Sequence, residues 1–343
     1  MKARTSARGT LAFRTSLALL VCAAVPAQAA DLNSTFSIDA NVEIDTDAVD
    51  YGEGSTKFEQ GGRVEANLRG EIRSESHFVR GKGTLILAKD SDTHTDDMWI
   101  QFGDDFWDLQ FGRFEAIDLF PKGKDTLLVR AAPGEVQFYE ANLSRGRAGT
   151  DGGQIALHLN GNNGFGFELA TLFGDDNVDS LEGTNEDAVT GVRPVVFYNG
   201  DGYSARIGLE YKNVEFTDGS EIDQQGVGGN LSFSVGEALV NLNAAWLDDN
   251  SDPFNPGDRD LEEVLSLGAN LVYGRFGVGL IHSETDYKTG SDPSGTTLYA
   301  AYTMPLFDID NASVTFAVSG SQANDVSGDD SAYGGRLRFN YTF

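Results

Sequence analysis

The residues that decide the fold run from Arg63 to Arg73 and read Arg-Val-Glu-Ala-Asn-Leu-Arg-Gly-Glu-Ile-Arg. Every second side chain in this stretch is small or apolar, and the side chains between them are charged groups or an amide. Successive side chains of a β-strand point to opposite faces, whereas a helix would distribute these charges around its circumference. The stretch is therefore predicted to be a strand with one apolar face and one charged face.

The same alternation recurs along the chain, for example at residues 203–212 and 333–343. Turn signals such as Gly200-Asp201-Gly202 separate neighbouring stretches, as in β-hairpins. The pattern predicts an all-β chain of sixteen strands. Their predicted ranges are 34–45, 60–73, 77–88, 96–103, 106–113, 153–160, 164–173, 189–199, 203–213, 225–235, 239–247, 263–274, 276–286, 296–304, 312–321 and 332–343.

The first 29 residues have the composition of an export signal. Basic residues come first, a short apolar run covers residues 17–25, and Ala27-Gln28-Ala29 supplies a cleavage site of small residues. We predict a signal peptide at residues 1–29 and a single outer-membrane barrel domain at residues 30–343. Cys22, the one cysteine, lies in the predicted signal, so no disulfide framework is expected.

The charge of the chain excludes one large class of proteins. The chain has 53 acidic and 25 basic residues, a formal net charge of −28. A nucleic-acid binder needs clustered Lys and Arg, and the field here has the opposite sign.

No segment after residue 29 approaches the roughly 18 consecutive apolar residues of a transmembrane helix. Two architectures remain, a soluble sandwich or barrel and a membrane β-barrel.

Strand length and composition favour the membrane barrel. Its strands span about ten residues, with the apolar face toward lipid and the charged face toward a water-filled lumen. The apolar faces here are rich in Gly and Ala, which would pack poorly as the core of a soluble protein of this size. We therefore predict a transmembrane antiparallel β-barrel of 16 strands in the outer membrane of a Gram-negative bacterium.

One predicted connection is unusually long. Short periplasmic turns and longer outer loops must alternate in such a barrel, and this assigns residues 114–152 to a single outer connection. Counting residues 136–143 as a strand would give seventeen and put long loops at the periplasmic end, so we interpret them as loop. So long a loop is uncommon in a compact domain and calls for a functional reason.

Two short motifs resemble the Gram-negative diffusion porins. Residues 107–113, Trp-Asp-Leu-Gln-Phe-Gly-Arg, resemble the segment that leads into that family's third loop, which folds inside the barrel and narrows it. The ending Tyr341-Thr342-Phe343 resembles the aromatic signal that the family's barrel-assembly machinery reads, with Tyr341 and Phe343 as the signal residues. Within the family the chain is most similar to the carbohydrate (raffinose-type) porins. The resemblance implies a homotrimer, passive diffusion of small hydrophilic solutes and an inward-folded third loop. In one respect the chain departs from the family: its predicted third loop is longer than is usual for general porins.

Charged residues on two sides of the predicted channel suggest a constriction. Opposed charges across a narrow aqueous gap create a transverse field, which orders water and disfavours apolar solutes. The alternative is that the basic residues pair with Glu65 and Glu71 along the wall. The candidates are Arg63, Arg69, Arg73, Arg80 and Lys82, named here the basic wall, and Glu115, Asp118 and Asp125, named the loop acids.

Four aromatic residues of the same loop have two interpretations. Their rings would either stack against sugar rings or pin the loop to the barrel wall. These residues are Phe114, Phe120, Phe138 and Tyr139.

The other long connections are strongly acidic, for example at residues 174–188 and 248–263. The acids would bridge through divalent cations to lipopolysaccharide phosphates, or they would simply form a solvated surface. The spacing Asp248-x-Asn250-x-Asp252 is similar to a calcium loop, but Pro253 stands where an EF-hand needs Gly. We therefore predict no metal site, and no cofactor.

No enzyme motif is present: the four histidines are scattered, and neither a nucleophile elbow nor a zinc-protease motif occurs. We predict a porin that passes small hydrophilic solutes and ions with a preference for cations. One alternative is a sugar-selective channel with a saturable binding site. The alternative from another class is a non-conducting adhesin or structural barrel.

Overall fold

The structure is a computed structural model that describes residues 33–52, 54–90, 92–149, 152–174, 186–217, 221–250 and 260–343. The predicted signal peptide at residues 1–29 lies outside the described residues. So do large parts of the two acidic connections, at residues 175–185 and 251–259.

Sixteen antiparallel strands close into one barrel, which confirms the predicted fold. Each strand pairs with its neighbours in sequence, and the last strand pairs with the first. The strands are β1 (Asn33–Asp50), β2 (Lys57–Arg73), β3 (Phe78–Ala88), β4 (Thr93–Gly103), β5 (Trp107–Arg113), β6 (Gly152–Asn160), β7 (Phe165–Gly174), β8 (Glu186–Asn199), β9 (Tyr203–Phe216), β10 (Glu221–Val235), β11 (Ala238–Asp249), β12 (Leu261–Tyr273), β13 (Phe276–Tyr287), β14 (Ser294–Pro305), β15 (Ala312–Asn324) and β16 (Ser331–Thr342).

The predicted strands match the observed ones, but several are longer than the alternation indicated. The largest difference is β1, predicted at 34–45 and observed to Asp50. Its last residues pair with β2 up to Val49 opposite Lys57. Backbone pairing therefore continues past the predicted end of the strand. Residues 136–143 form no strand, and no helix in the described ranges is long and apolar enough to cross a membrane.

The strand alternation separates an apolar outer face from a polar inner face. On β2, the outward Leu68 is 49% exposed, whereas the neighbouring inward Asn67 is 3% exposed. On β9, Ile207 and Leu209 are likewise exposed on the outside. A soluble barrel would place such residues in its core, so the outer surface suits hydrocarbon.

The largest connections lie at one end of the barrel. Residues 114–151, 175–185 and 250–260 all follow odd-numbered strands. The described part of the first, residues 114–149, is named here the long segment. Its buried residues Leu119, Phe120 and Tyr139 pack against strand residues such as Val195 and Ile281. The hydrophobic core of the protein therefore lies between the long segment and one side of the inner wall.

Candidate pore lining

The long segment begins and ends beside β6. The Gln154 side chain on β6 accepts hydrogen bonds from the backbone N–H of Phe114 (3.1 Å) and of Ala148 (2.9 Å). It also donates to the carbonyl oxygen of Gly146 (2.7 Å). One inward amide thus ties the entry of the segment to its exit.

The first leg of the long segment, residues 114–126, runs along the inner wall toward β16. The carbonyl oxygen of Pro121 accepts hydrogen bonds from Asn243 Nδ2 on β11 (2.9 Å) and Asn270 Nδ2 on β12 (2.7 Å). Farther on, Arg336 Nη1 on β16 donates to the carbonyl oxygen of Thr126 (2.8 Å). These donors stand on inward positions of the strands, so this leg lies along the inner wall.

The second leg of the long segment, residues 137–149, runs back toward β6. The backbone N–H of Tyr139 donates to Ser266 Oγ on β12 (3.0 Å), and Tyr139 Oη donates to Glu210 on β9 (2.5 Å). Burial raises the pKa of the Tyr139 phenol, and the Glu210 carboxylate raises it further. Tyr139 therefore stays a neutral donor in this position.

Glycines on the inner wall allow the segment to approach closely. A Cβ at Gly226 would lie 1.9 Å from Tyr139 Oη, and one at Gly268 would lie 2.7 Å from the ring of Phe120. The sequence pattern showed Gly and Ala on the apolar, lipid-facing sides. The structure shows that Gly226 and Gly268 face inward and are required where the long segment docks.

The contacts of the long segment leave one side of the inner wall open. Within the described ranges, its hydrogen bonds, ion pairs and buried contacts fall on strands from β4 to β16 and on the connections between them, and β1 touches it only through Val49. We call the inner faces of β1–β3 the open wall and those of β6–β16 the covered wall. On the open wall, the side chains of Arg63 and Arg69 are 48% and 45% exposed.

The basic wall lies on the open wall, and most of its members have acidic partners there. Arg69 forms an ion pair with Asp39 on β1. Other contacts join strand neighbours and turn residues: Arg73 with Glu71 (3.2 Å) and Asp105 (3.0 Å), Arg63 with Glu43 and Glu65 (3.9 Å each), and Lys82 with Asp97 (2.6 Å). Arg80 instead donates from Nε to Gln101 (2.9 Å). Arg63 and Arg73 therefore pair with Glu65 and Glu71 along the wall, as in the alternative interpretation.

The loop acids pair inside the long segment. Glu115 contacts Arg145 (3.1 Å) and Arg147 (2.9 Å), and Asp118 lies 3.9 Å from Arg145. Asp125 lies 3.8 Å from Lys122. In the described part of the chain, no ion pair joins the basic wall to the loop acids, so a field between the two sets stays a prediction.

The four aromatic candidates lie where packing explains them. Phe114 and Phe120 are 2% exposed and Tyr139 is 4% exposed. Their rings offer no free face to a sugar, which corrects the stacking interpretation for these three residues. Phe138 is half-buried beneath the Arg130 guanidinium, 4.4 Å from its ring centre. The rings pin the long segment to the wall.

Sequence reasoning missed two groups of charged residues. Arg336 and Arg338 on β16 each contact Asp45 on β1, at 3.2 and 2.7 Å. The alternation placed both arginines on the charged face, but their partners come from the opposite end of the chain. The second group surrounds Arg193, whose partners depend on the register of β7, β8 and β9.

The C-terminal residues complete the barrel closure. Phe343 exchanges two backbone hydrogen bonds with Ala40 on β1, at 2.8 and 2.9 Å. The rings of Tyr341 and Phe343 stack with centres 5.5 Å apart on the outer surface. Their role as an assembly signal stays a prediction. Among the residues that the structure describes, no group of three or more His, Cys, Asp or Glu side chains is placed to hold a metal ion.

A family model described as porin-like glycoporin RafY matches residues 29–343. The chain belongs to this porin family. Together with the closed sixteen-stranded barrel, the match makes the protein a porin of the outer membrane. No curated protein sequence matches the chain.

Solved structures with the same fold are distant in sequence from this porin. The anion-selective porin from Comamonas acidovorans is 15% identical, with a TM-score of 0.66 over 91% of this chain and 100% of that chain. The in-vitro folded OmpT of Vibrio cholerae, in its trimer form, is 12% identical, with a TM-score of 0.61 over 90% and 100%. A triple mutant of the Rhodopseudomonas blastica porin is 17% identical, with a TM-score of 0.55 over 90% and 100%. At these identities the likeness concerns the fold alone.

Proposed function

We propose that this porin is a passive, water-filled channel for small hydrophilic solutes and ions, with a preference for cations at low salt. The observation that carries the proposal is the one-sided docking of the long segment. Its contacts lie along the covered wall, while half-exposed ionised side chains remain on the open wall. The solute path then runs between the segment and the open wall, and the segment narrows it.

The cation preference rests on net charge. The chain has about twice as many acidic as basic residues, and several acidic connections belong to the end with the long loops. Negative charge at a pore mouth concentrates cations and repels anions. The Comamonas porin is described as anion-selective, but a shared fold at 15% identity does not carry its selectivity to this chain.

A second candidate is a channel that prefers sugars and has a saturable binding site. The family description as a glycoporin favours it. The pairing of opposite charges favours it as well, since adjacent guanidinium and carboxylate groups offer both donors and acceptors to hydroxyl groups. The rings of Phe114, Phe120 and Tyr139 play no part in this version.

The protein is proposed to assemble as a homotrimer, inserted by the barrel-assembly machinery and surrounded by lipid and lipopolysaccharide. The family resemblance and the trimer form of the Vibrio cholerae OmpT support this proposal. The signal peptide at residues 1–29, the domain at residues 30–343 and the absence of enzyme activity and cofactors belong to the same proposal.

Single-channel recording in planar bilayers tests these functions together. We expect open steps in groups of three, and a reversal potential in a salt gradient with the sign of cation preference. A concentration-dependent, saturating block by oligosaccharides would establish the sugar-binding version. Absence of conductance from folded trimers would favour an adhesin or structural barrel, and anion preference would contradict the charge argument.

A further inference from the structure

Arg193 on β8 is a fully buried charged side chain. It has no exposed surface and lies between carboxylates of the two neighbouring strands. Arg193 Nε is 2.7 Å from Glu210 Oε1 on β9, and Nη1 is 3.6 Å from Glu168 Oε1 on β7. The two carboxylates are themselves at most 3% exposed.

Both carboxylates also hold the backbone of the long segment. Glu168 Oε1 accepts a hydrogen bond from the N–H of Ile117 (2.9 Å), in the first leg. Glu210 accepts from the N–H groups of Leu143 (3.2 Å) and Ser144 (3.3 Å), in the second leg.

Arg193 and the phenol of Tyr139 make the remaining contacts between these residues and the second leg. Arg193 Nη2 donates to the carbonyl oxygen of Ala141 (3.3 Å), and Tyr139 Oη donates to Glu210 (2.5 Å). The three charged residues therefore contact the first leg and the second leg at once. The anchors at Pro121 and Thr126 hold only the first leg, Ser266 holds the second, and Gln154 joins the two ends of the segment.

The arginine makes this arrangement possible. The two buried carboxylates, on the strands either side of β8, lose their hydration and repel each other, and the guanidinium between them offsets that cost. A guanidinium serves both because its planar fork reaches several oxygens in fixed directions, which an ammonium group does not. Buried ion pairs contribute less to net stability than to selecting one arrangement, while removal of one partner is costly.

His158 links Glu168 to a second carboxylate, Asp108, which lies away from the long segment. His158 Nε2 is 3.1 Å from Glu168 Oε2, and His158 Nδ1 is 2.5 Å from Asp108 Oδ1. Gln101 Nε2 donates to the same Asp108 oxygen (2.5 Å). Glu168 is thus fixed from both sides, by Arg193 and by His158.

We propose that Arg193, Glu168 and Glu210 form an ionic clamp that positions the long segment, with Arg193 as the essential positioning residue. The clamp sets where the second leg stands in the lumen. The consequence for pore width rests on the function proposed above, whereas the positioning itself does not.

A single cysteine reports directly on the clamp. Apart from Cys22 in the predicted signal, the chain has no cysteine, so Ser144→Cys introduces one thiol into the protein without its leader. Ser144 is 1% exposed and its Oγ donates to the carbonyl oxygen of Tyr211 (3.3 Å). Folded trimers carrying this substitution are treated with a water-soluble methanethiosulfonate, and the rate of modification is measured.

Three further substitutions are compared in that background. Arg193→Leu should raise the modification rate by roughly a hundredfold, because it leaves two buried carboxylates without a cation. The triple change Arg193→Leu, Glu168→Gln, Glu210→Gln removes all three charges and should restore much of the protection. Arg63→Leu, which breaks the ion pairs with Glu43 and Glu65 on the open wall, should leave the rate unchanged.

The outcomes separate the clamp from the pore. Protection retained in Arg193→Leu trimers would overturn the clamp, and so would equal rates in the single and triple variants. If Arg193→Leu yields no trimers, Arg193→Lys takes its place, and an unchanged rate there would overturn the clamp too. A raised modification rate with unchanged single-channel conductance would keep the clamp and refute the constriction by the long segment.

Discussion

The open wall and the covered wall are both built from inner faces of barrel strands, but they differ in what they face. The covered wall carries glycine, serine and asparagine, such as Gly226, Ser266 and Asn243, where the long segment lies against it. The open wall carries Arg63 and Arg69 among acidic partners. Most residues of the covered wall that meet the backbone of the long segment are small or neutral, and the ionic clamp and Arg336 are the charged exceptions. The ionised side chains of Arg63 and Arg69 on the open wall are instead about half exposed.

The largest expected effect comes from filling the covered wall at Gly268. A leucine there would collide with the Phe120 ring, which lies 2.7 Å from the position of a Cβ. We expect Gly268→Leu to lower the free energy of unfolding by about 1–3 kcal/mol, the usual range for overpacking. Thermal unfolding of trimers in detergent, followed by circular dichroism, measures this loss.

Gly83 on β3 supplies the matched control. A Cβ there meets no heavy atom within 4 Å, and its neighbours in the ladder, Leu68 and Met98, face outward. Gly83→Leu should change the free energy of unfolding by no more than about 0.5 kcal/mol. Equal losses for the two variants would mean that the loss at Gly268 comes from replacing a strand glycine and not from contact with the long segment.

The strands could be predicted from sequence because side-chain period is a local property. The eleven residues from Arg63 to Arg73 already show it, and the hairpin at Gly200-Asp201-Gly202 shows where it is interrupted. The basic wall followed from the same alternation. Strand ends were predicted less accurately, since β1 continues pairing with β2 up to Val49, beyond its predicted end at residue 45.

The docking of the long segment could not be predicted in the same way. The partners of Phe120 include Gly268, and the partners of Tyr139 include Glu210, both far away in sequence. Such contacts depend on the register of many strands at once. A hint was available in the inward glycines, which interrupt the polar face of their strands at Gly226, Gly228 and Gly268.

A smaller effect is expected from neutralising the open wall. The double change Arg69→Gln, Arg73→Gln leaves Asp39, Glu71 and Asp105 without their basic partners. Two unit charges at about 10 Å from a permeating ion are worth about 0.8 kcal/mol in water, or roughly fourfold in the permeability ratio. We expect this increase in favour of cations, measured by the reversal potential in a KCl gradient.

The covered wall provides the comparison for this change. Asn241→Ser alters a buried inward amide that bonds to Asn270 and carries no charge. It should leave the reversal potential unchanged. A similar shift in both variants would place the ion path along the covered wall as well.

The smallest effect isolates one ion pair. Asp39→Asn keeps the shape of the side chain but leaves Arg69 with an uncompensated charge on the open wall. A single charge at about 10 Å is worth about 0.4 kcal/mol, so cation preference should fall about twofold. The shift should disappear near 1 M salt, where the Debye length is about 3 Å.

Asp201→Asn, in the exposed turn between β8 and β9, removes the same charge away from the open wall and should have little effect. If both substitutions shift the reversal potential equally, selectivity follows the total charge of the protein and not the pairs that line the open wall.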